Sequence, residues 1–275
     1  YVTGSNAKML SKEVATTLGG RFFIYDAYPY SFREYLAAQQ VNLEQHWMYD
    51  TVQRSQVKRH LNDYFYYGGL PEILSFQNKR SMLSSLYQKI YLGDICARNN
   101  IKSDRVLNIL IKKMAESVKQ PLSFNRLKNV IVATGAPISV PTTIDYVDYA
   151  SDSWLILPME NEVGKLTEKE MQKKYYFVDN GLLNLFLMNS ETSLLENMVA
   201  VELCRRFGKN NVFFLNAEKE IDFIVPDQKL ALQVSYTIKE EATYNREVPP
   251  LVKYAKAHPD WQCLLIAYDE ESTAE

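Results

Sequence analysis

The sequence predicts a mixed α/β and α+β chain of several domains, and three stretches of different periodicity support this fold class. Residues 1–25 change from strand to helix to strand. The middle of the chain carries short amphipathic helices and then a hairpin, whereas strands and helices alternate over the last part. A chain of 275 residues is long enough for two or three domains. We therefore expect three parts, formed by residues 1–75, 76–168 and 169–275.

The first part begins as a strand–helix–strand unit. A strand at residues 1–2 ends at a polar turn that contains Ser5 and Asn6, residues 8–18 favour a helix, and residues 21–25 are aromatic and β-branched. Such units build parallel sheets that are covered on both faces, yet no strand precedes this one in the sequence. We therefore expect the chain to start inside a larger domain.

The polar turn permits two interpretations. Parallel sheets bind ligands beyond the carboxyl ends of their strands, where the amide of Asn6 would orient a water molecule or a phosphate oxygen. Alternatively, Ser5 and Asn6 cap the helix that follows, because both residue types are preferred caps. On spacing alone, the cap is the favoured interpretation.

Three motifs in a fixed order change this balance. They are Thr-Gly-Ser-Asn at residues 3–6, Gly-Gly-Arg at residues 19–21, and Tyr-Pro-Tyr-Ser-Phe-Arg-Glu-Tyr-Leu at residues 28–36. Together they resemble a family of prokaryotic AAA-type ATPases whose C-terminal domain is of unknown function. The resemblance implies that Ser5 and Asn6 form sensor 1, which contacts the γ-phosphate or the attacking water. It also implies that Arg21 is a candidate arginine finger toward a neighbouring subunit.

The phosphate-binding loop of such ATPases is absent from this sequence. That loop needs Gly-x-x-x-x-Gly-Lys-Ser/Thr, so that backbone amides and a lysine hold the phosphates, and no such segment occurs in the 275 residues. We therefore expect ATP and Mg²⁺ to be cofactors of the intact parent ATPase, and we expect this chain alone to bind no cofactor and to have no activity. Its expected partner is the missing N-terminal ATPase half or another protein.

The rest of residues 1–75 is predicted to be helical. A helix opens at residues 31–36, and a longer one over residues 42–67 ends at the turn Gly-Gly-Leu-Pro-Glu, residues 68–72. In the resembled family this turn lies in the helical lid that follows the ATPase core. It is also an ordinary turn between two helices, because residues 73–95 continue with helical periodicity.

Residues 76–168 predict a winged helix, because three short helices precede a two-stranded hairpin. The helices are expected at residues 103–117, 123–133 and 139–150, and the strands at residues 154–157 and 175–178. The third helix of such folds usually enters the DNA major groove. Here it carries Asp145 and Asp148 and no Lys or Arg, which argues against DNA reading by this helix.

Basic residues cluster elsewhere in this part, and their role stays open. The cluster comprises Arg98, Lys102, Arg105, Lys112, Lys113, Lys119, Arg126 and Lys128. It either contacts a nucleic-acid backbone or forms an ordinary solvated surface.

Residues 169–275 predict an α/β domain that resembles the restriction-endonuclease-like fold. A helix at residues 193–207 carries Glu196, strands follow at residues 212–215, 221–225 and 230–234, and a helix at residues 246–257 precedes a strand at residues 262–267. An active site of that type has an Asp, a second acid on the next strand and a Lys two residues later. Asp222 occupies the first position, but Gln233 and Ser235 occupy the other two.

Two of the three chemical roles are therefore missing, and we expect an inactive nuclease fold without a metal. One interpretation is that Glu196 and Asp222 keep a weak metal site. The favoured interpretation is that Asp222 is a structural carboxylate with satisfied hydrogen bonds. The first function hypothesis is a regulatory or interaction module of an ATPase. The alternative is a nucleic-acid-binding module with residual metal-dependent nuclease activity, which requires the basic cluster and the acidic residues to share one face.

The composition of the chain bears on its cellular compartment and on its contact with membranes. The net charge of −2 gives no general attraction to nucleic acid or anionic membrane. The three cysteines are far apart and favour a reducing compartment over a disulfide framework. No apolar run approaches the ~18 residues of a membrane-spanning helix. We therefore expect a cytoplasmic protein that does not contact membranes.

Overall fold

A computed structural model describes residues 21, 23, 25–101, 104–217 and 220–268. The sensor candidates Ser5 and Asn6, with the first predicted strand and helix, lie outside the described residues. At the second predicted strand, Arg21, Phe23 and Tyr25 are exposed and pair with no strand, so the described residues do not confirm that strand. The described chain is mixed α/β, with many helices and two small sheets.

The first described part is helical, and its helices begin where local caps place them. Its elements are α1 (Phe32–Ala38), α2 (Thr51–Tyr67), α3 (Lys79–Gln88), a π-helix (Lys89–Ala97) and 3₁₀ turns at Trp47–Tyr49 and Pro71–Ile73. The helix predicted over residues 42–67 begins only at Thr51, because the Asp50 carboxylate accepts hydrogen bonds from the Val52 and Gln53 amides. The helix predicted over residues 73–95 is likewise interrupted, since Asn78 caps α3.

The middle of the chain packs three helices beside a three-stranded antiparallel sheet. Its elements are α4 (Asp104–Glu116), β1 (Leu122–Ser123), α5 (Phe124–Ala133), α6 (Val140–Asp152), β2 (Ile156–Met159), α7 (Leu166–Met171) and β3 (Gln172–Phe177). The strand order is β1-β3-β2, with Leu157 opposite Tyr176. Strands β2 and β3 thus pair across the predicted domain boundary at residue 168.

The last part forms a four-stranded sheet with helices on it. Its elements are α8 (Asn180–Asn184), α9 (Glu191–Phe207), β4 (Phe213–Asn216), β5 (Glu220–Val225), β6 (Leu230–Ser235), α10 (Glu241–Ala257) and β7 (Gln262–Ala267). The order is β4-β5-β6-β7, and only the β6–β7 pair within this described sheet is parallel. Helix α10 makes that parallel connection, as a crossover helix must.

One hydrophobic core continues through all these parts. It extends from Phe65 in α2, through Leu110 and Tyr176, to Val234 in β6. Helix α9 packs against β3 of the first sheet and β6 of the second, and it therefore sits between the two sheets. In the part of the chain that is described, no helix has the length and apolar character needed to cross a membrane.

Candidate functional site

Lys174 on β3 is a fully buried lysine whose ammonium group faces three carboxylates. Its Nζ atom lies 3.3 Å from Oε1 of Glu196, 3.4 Å from Oδ1 of Asp222 and 3.0 Å from Oε1 of Glu220. Helix α9 supplies Glu196, and β5 supplies the other two carboxylates. We call these four residues the Lys174 cluster. It forms only because α9 packs between the two sheets.

Strand alternation places Lys174 beside Tyr176. Side chains two residues apart on a strand share a face, so Lys174 and Tyr176 project to the same side of β3. The Tyr176 hydroxyl donates a 2.8 Å hydrogen bond to Oε1 of Glu196, the same oxygen that Lys174 contacts. The last four residues of β3 are all buried, so Lys174, the charged residue among them, lies in the interior of the protein.

Further hydrogen bonds connect Asp222 to Gln233 on the neighbouring strand. The Val234 amide donates to Oδ2 of Asp222 at 2.9 Å, and the Asp222 amide donates to Oε1 of Gln233 at 3.3 Å. The Gln233 side-chain amide donates in turn to the Glu247 carboxylate of α10. The structure thus brings together the three predicted residues Glu196, Asp222 and Gln233.

Burial dominates the electrostatics of the Lys174 cluster. It raises the pKa of the Asp222 carboxyl, and the nearby Glu196 carboxylate raises this pKa further, against the opposing effect of Lys174. Burial alone lowers the pKa of Lys174, but Glu196, Asp222 and Glu220 outweigh it and hold that pKa above its usual range. The lysine is therefore charged, and the cluster stabilises an ammonium ion.

The positive charge of this cluster is the feature that sequence reasoning missed. Ser235, at the position of the expected lysine, donates its hydroxyl to the Thr237 carbonyl at 2.9 Å. Lys174 directly precedes the strand predicted at residues 175–178, and it supplies the charge from a different sheet. The available signal was the run Lys-Tyr-Tyr-Phe-Val at residues 174–178, where a lysine shares a face with buried aromatic residues. Among the residues that the structure describes, no three His, Cys, Asp or Glu side chains are arranged to hold a metal ion.

A second buried carboxylate, Asp179, joins two glycine turns. Its Oδ2 atom accepts a 2.8 Å hydrogen bond from the Gly69 amide, and its Oδ1 atom accepts from the Gly181 amide at 2.8 Å and from the Leu182 amide at 3.3 Å. Burial raises the pKa of Asp179 to about 6, although the Gly69, Gly181 and Leu182 amides oppose the shift. Asp179 therefore holds the turn after α2 against the start of α8.

The glycines of these two turns are required by close approach. Gly68 has φ 77°, and a side chain there would overlap the Asp179 carboxylate. A side chain at Gly181 would overlap the backbone carbonyl of Tyr67. We call Gly68, Gly69, Asp179 and Gly181 the glycine junction. The Gly-Gly turn predicted after residue 67 is confirmed, and its partner is the turn at residues 179–181.

Two asparagines extend the glycine junction into α9. The Asn180 side-chain amide donates to the Phe65 carbonyl at 2.9 Å and to the Leu194 carbonyl at 3.0 Å. The Asn197 amide donates to Oδ1 of Asn180 at 2.9 Å. All of these side chains are buried, so the end of α2, the start of α8 and the middle of α9 are fixed to one another.

The segment at residues 26–30 is fastened to the same assembly. The Arg205 guanidinium of α9 donates to the Pro29 carbonyl at 2.7 Å, and the Tyr30 amide donates to the Gly69 carbonyl at 2.8 Å. Lys209 pairs with Asp26 at 3.2 Å. This anchored segment follows Arg21, whose own side chain is exposed.

The described residues of the predicted basic cluster differ in burial from the acidic residues. Arg105, Lys112 and Lys119 are exposed, whereas the Glu196 and Asp222 side chains are only 5% and 8% exposed. The condition set for the nuclease hypothesis, one continuous face, is therefore not met by these residues.

Two family models and two uncharacterised relatives match parts of this chain. A family model described as an AAA domain matches residues 1–36, and a model described as a domain of unknown function (DUF8612) matches residues 58–193. An uncharacterised protein of Methanocaldococcus jannaschii is 29% identical over 265 residues, which is 93% of this chain and 59% of that protein. An uncharacterised protein of Haemophilus influenzae is 32% identical over 247 residues, which is 87% of this chain and 59% of that protein.

The chain therefore spans about three fifths of the length of these two relatives. No solved structure matches it significantly.

Proposed function

We propose that this chain is the C-terminal part of an AAA-type ATPase and acts there as a regulatory or interaction module without catalytic activity of its own. The observation that carries the proposal is the anchored segment at residues 26–30, which lies inside the region similar to an AAA domain and is bound by Arg205, Lys209 and Gly69. ATP and Mg²⁺ belong to the intact parent, because the phosphate-binding loop is not in these residues.

The contacts suggest how such a module would sense the nucleotide. A displacement of residues 26–30, which follow Arg21 in the chain, would act on Arg205 and the glycine junction. Arg205 belongs to α9, and the junction is hydrogen-bonded to the same helix through Asn180 and Asn197. Because packed elements move as rigid units, α9 is the element that would carry the displacement to a partner protein.

Two fold assignments belong to this proposal. The helices α4, α5 and α6 with the sheet β1-β3-β2 follow the element order of a winged helix, which supports that assignment. The sheet β4-β5-β6-β7 with α9 and α10 supports a restriction-endonuclease-like assignment, in which Gln233 and Ser235 have replaced catalytic groups. The cysteines Cys96, Cys204 and Cys263 are free thiols, which supports the cytoplasm as the compartment.

The test is ATP hydrolysis by the full-length protein that contains this chain. Replacing Arg21 with Ala should lower kcat by about 10³-fold or more, the usual value of an arginine finger. The matched control is Arg33→Ala, which removes another exposed arginine, this one within α1, and should leave kcat unchanged. Equal rates for the two variants would contradict the role of Arg21, and no hydrolysis by the unmodified protein would contradict the ATPase assignment.

Nucleic-acid binding, without the cleavage for which the one-face condition is not met, is the second candidate function. One observation favours it: Lys119 of the basic cluster donates to the Thr192 hydroxyl at 2.9 Å, which sets an exposed basic residue at the start of α9. Binding of the chain to duplex and single-stranded DNA across a salt series tests it. If the chain contacts phosphates, its affinity should fall steeply as the salt concentration rises. The double variant Lys112→Ala with Lys119→Ala should make this dependence shallower. Lys58→Ala, which lies outside the cluster, should leave it unchanged. Absence of binding at low salt would eliminate this candidate.

A further inference from the structure

The nuclease-like assignment implies a divalent cation between Glu196 and Asp222, and the residues present do not fit one. Magnesium requires oxygen ligands at about 2.0–2.1 Å and near-octahedral geometry. The space between these carboxylates holds Nζ of Lys174, at 3.3 Å from Glu196 and 3.4 Å from Asp222. These distances are longer than those of a charge-assisted hydrogen bond and are those of close ion pairs. An ammonium group and a metal ion cannot occupy this space together.

We infer that Lys174 is the resident cation of this cluster and takes the place of a divalent metal ion. The inference does not depend on the ATPase assignment, since it rests on the contacts of Lys174 and on the nuclease-like assignment within the proposed function.

The surroundings of Lys174 hold its ammonium group where a metal ion would be bound. Tyr176 fixes Glu196 by a 2.8 Å hydrogen bond, and the Val234 amide fixes Asp222 at 2.9 Å. Nζ contacts Oε1 of Glu196, the oxygen that also accepts from Tyr176, and Oδ1 of Asp222, the oxygen that the Val234 amide leaves unused. The ring of Phe214 lies 5.6 Å from Nζ, which adds a cation–π contact. The side chain of Lys174 has no exposed surface, so its ammonium group is shielded from solvent.

The charge balance explains what removal of the lysine would do. One ammonium group faces the carboxylates of Glu196, Glu220 and Asp222, and only Glu220 is substantially exposed, at 46% of its side chain. Without Lys174, buried negative charges would remain with no counter-ion and with the volume of a lysine side chain beside them. A buried cluster of this kind takes up protons or a cation.

The test is Mn²⁺ binding by the chain, measured by electron paramagnetic resonance and calorimetry. The unmodified chain should bind no Mn²⁺ in the cluster at millimolar concentration. Lys174→Ala should bind one Mn²⁺ with an affinity at least 100-fold above the upper limit measured for the unmodified chain. The further change Asp222→Asn should abolish that binding. Lys173→Ala is the matched control. Lys173 is the neighbouring lysine and pairs with Glu160 and Glu170 outside the cluster, so its removal should create no Mn²⁺ site.

Two outcomes would overturn the inference directly. Mn²⁺ binding by the unmodified chain that Asp222→Asn abolishes would show that a metal displaces the lysine. A folded Lys174→Ala chain that binds no Mn²⁺ would show that the carboxylates do not form a cation site.

The test also decides the question if Lys174→Ala fails to fold, because a bound metal ion should then supply the missing positive charge and restore folding. If Lys174→Ala is unfolded in buffer but folds when Mn²⁺ is added, the inference is supported. Lys174→Gln, which fills most of the vacated volume without charge, is measured in the same way. If neither variant folds with Mn²⁺, the cation has no role that a metal can take over, and the inference is wrong.

Discussion

Asp179 and Asp222 are both buried carboxylates, but the protein stabilises them in different ways. Asp179 accepts hydrogen bonds from the backbone amides of Gly69, Gly181 and Leu182. Asp222 faces the ammonium group of Lys174 and accepts one amide hydrogen bond. The first arrangement requires two backbone segments to be in place, the turn at Gly69 and the start of α8, whereas the second requires the Lys174 side chain and one amide of the neighbouring strand.

The difference indicates separate roles for the two sites. The glycine junction connects residues that are far apart in the chain, since the Gly69 amide reaches Asp179 across 110 positions. Its carboxylate thus holds the first described helices against the C-terminal part. The Lys174 cluster instead neutralises charge inside the core, where removal of one partner leaves the others unpaired. Substitutions at the two sites should separate these roles.

The largest expected effect comes from the Lys174 cluster. Lys174→Met should lower the free energy of unfolding by about 3–5 kcal/mol, because it leaves buried carboxylates without their counter-ion. Lys173→Met should cost less than about 1 kcal/mol, because the Glu160 and Glu170 carboxylates that it pairs with are exposed. Urea denaturation of the two variants measures both values. Similar costs would mean that the buried charge is not what stabilises this region.

The next effect tests the close approach at the glycine junction. Gly181→Ala should destabilise the fold by about 3 kcal/mol, because the added methyl group overlaps the Tyr67 carbonyl and the backbone has to move. Gly93→Ala is the control, since a side chain at Gly93 meets no atom within 4 Å, and it should be neutral or stabilising. Thermal unfolding compares the two, and a stable Gly181→Ala variant would show that the two turns do not interlock in solution.

A pH dependence distinguishes Asp179 from an ordinary carboxyl group. Burial raises its pKa to about 6 from 3.8, so the folded chain keeps this proton after the unfolded chain has released it. The stabilising contribution is complete below pH ~4 and is lost as the pH rises through about 6. The loss is at most about 3 kcal/mol, at 1.36 kcal/mol per pKa unit.

The measurement is the difference in unfolding free energy between the unmodified chain and Asp179→Asn, followed from pH 4 to pH 8. This difference should shift against the unmodified chain by up to about 3 kcal/mol as the pH rises. Asp145→Asn, at an exposed position, is measured alongside as the control. A flat difference for Asp179→Asn would show that Asp179 titrates normally.

The smallest effect concerns the attachment of residues 26–30. Arg205→Ala should cost about 1–2 kcal/mol, because it removes a charge-assisted hydrogen bond to the Pro29 carbonyl. It should also speed hydrogen exchange of the Tyr30 amide, whose acceptor is the Gly69 carbonyl. Arg206→Ala is the control, since this neighbouring side chain is 66% exposed. Equal exchange rates in the two variants would argue against anchoring by Arg205.

Helix caps are local, and the elements that depend on them were predicted well. Ser123 and Ser139 accept hydrogen bonds from amides three residues later, so the helices predicted at residues 123–133 and 139–150 appear within two residues of those bounds. The helix predicted from residue 42 was wrong at its start, because the Asp50 cap was not recognised as a helix beginning. The strand at residues 262–267 was predicted with its observed bounds.

In the candidate site, too, local contacts could be predicted and distant ones could not. Asp222 and Gln233 lie on adjacent strands of one hairpin, so their proximity follows from local pairing. Lys174 lies 48 positions before Asp222 and belongs to another sheet. No periodicity within β3 specifies which carboxylates its lysine meets, because that depends on how α9 packs between the sheets.

The sequence by itself determined the mixed α/β composition, most helix and strand positions and the Gly-Gly turn. These properties depend on residues within a few positions of one another. The tertiary structure alone decided that Lys174 enters the acidic cluster and that Asp179 joins the two glycine turns. Both contacts link segments that are distant in the chain, and only the packing of the shared hydrophobic core brings such segments together.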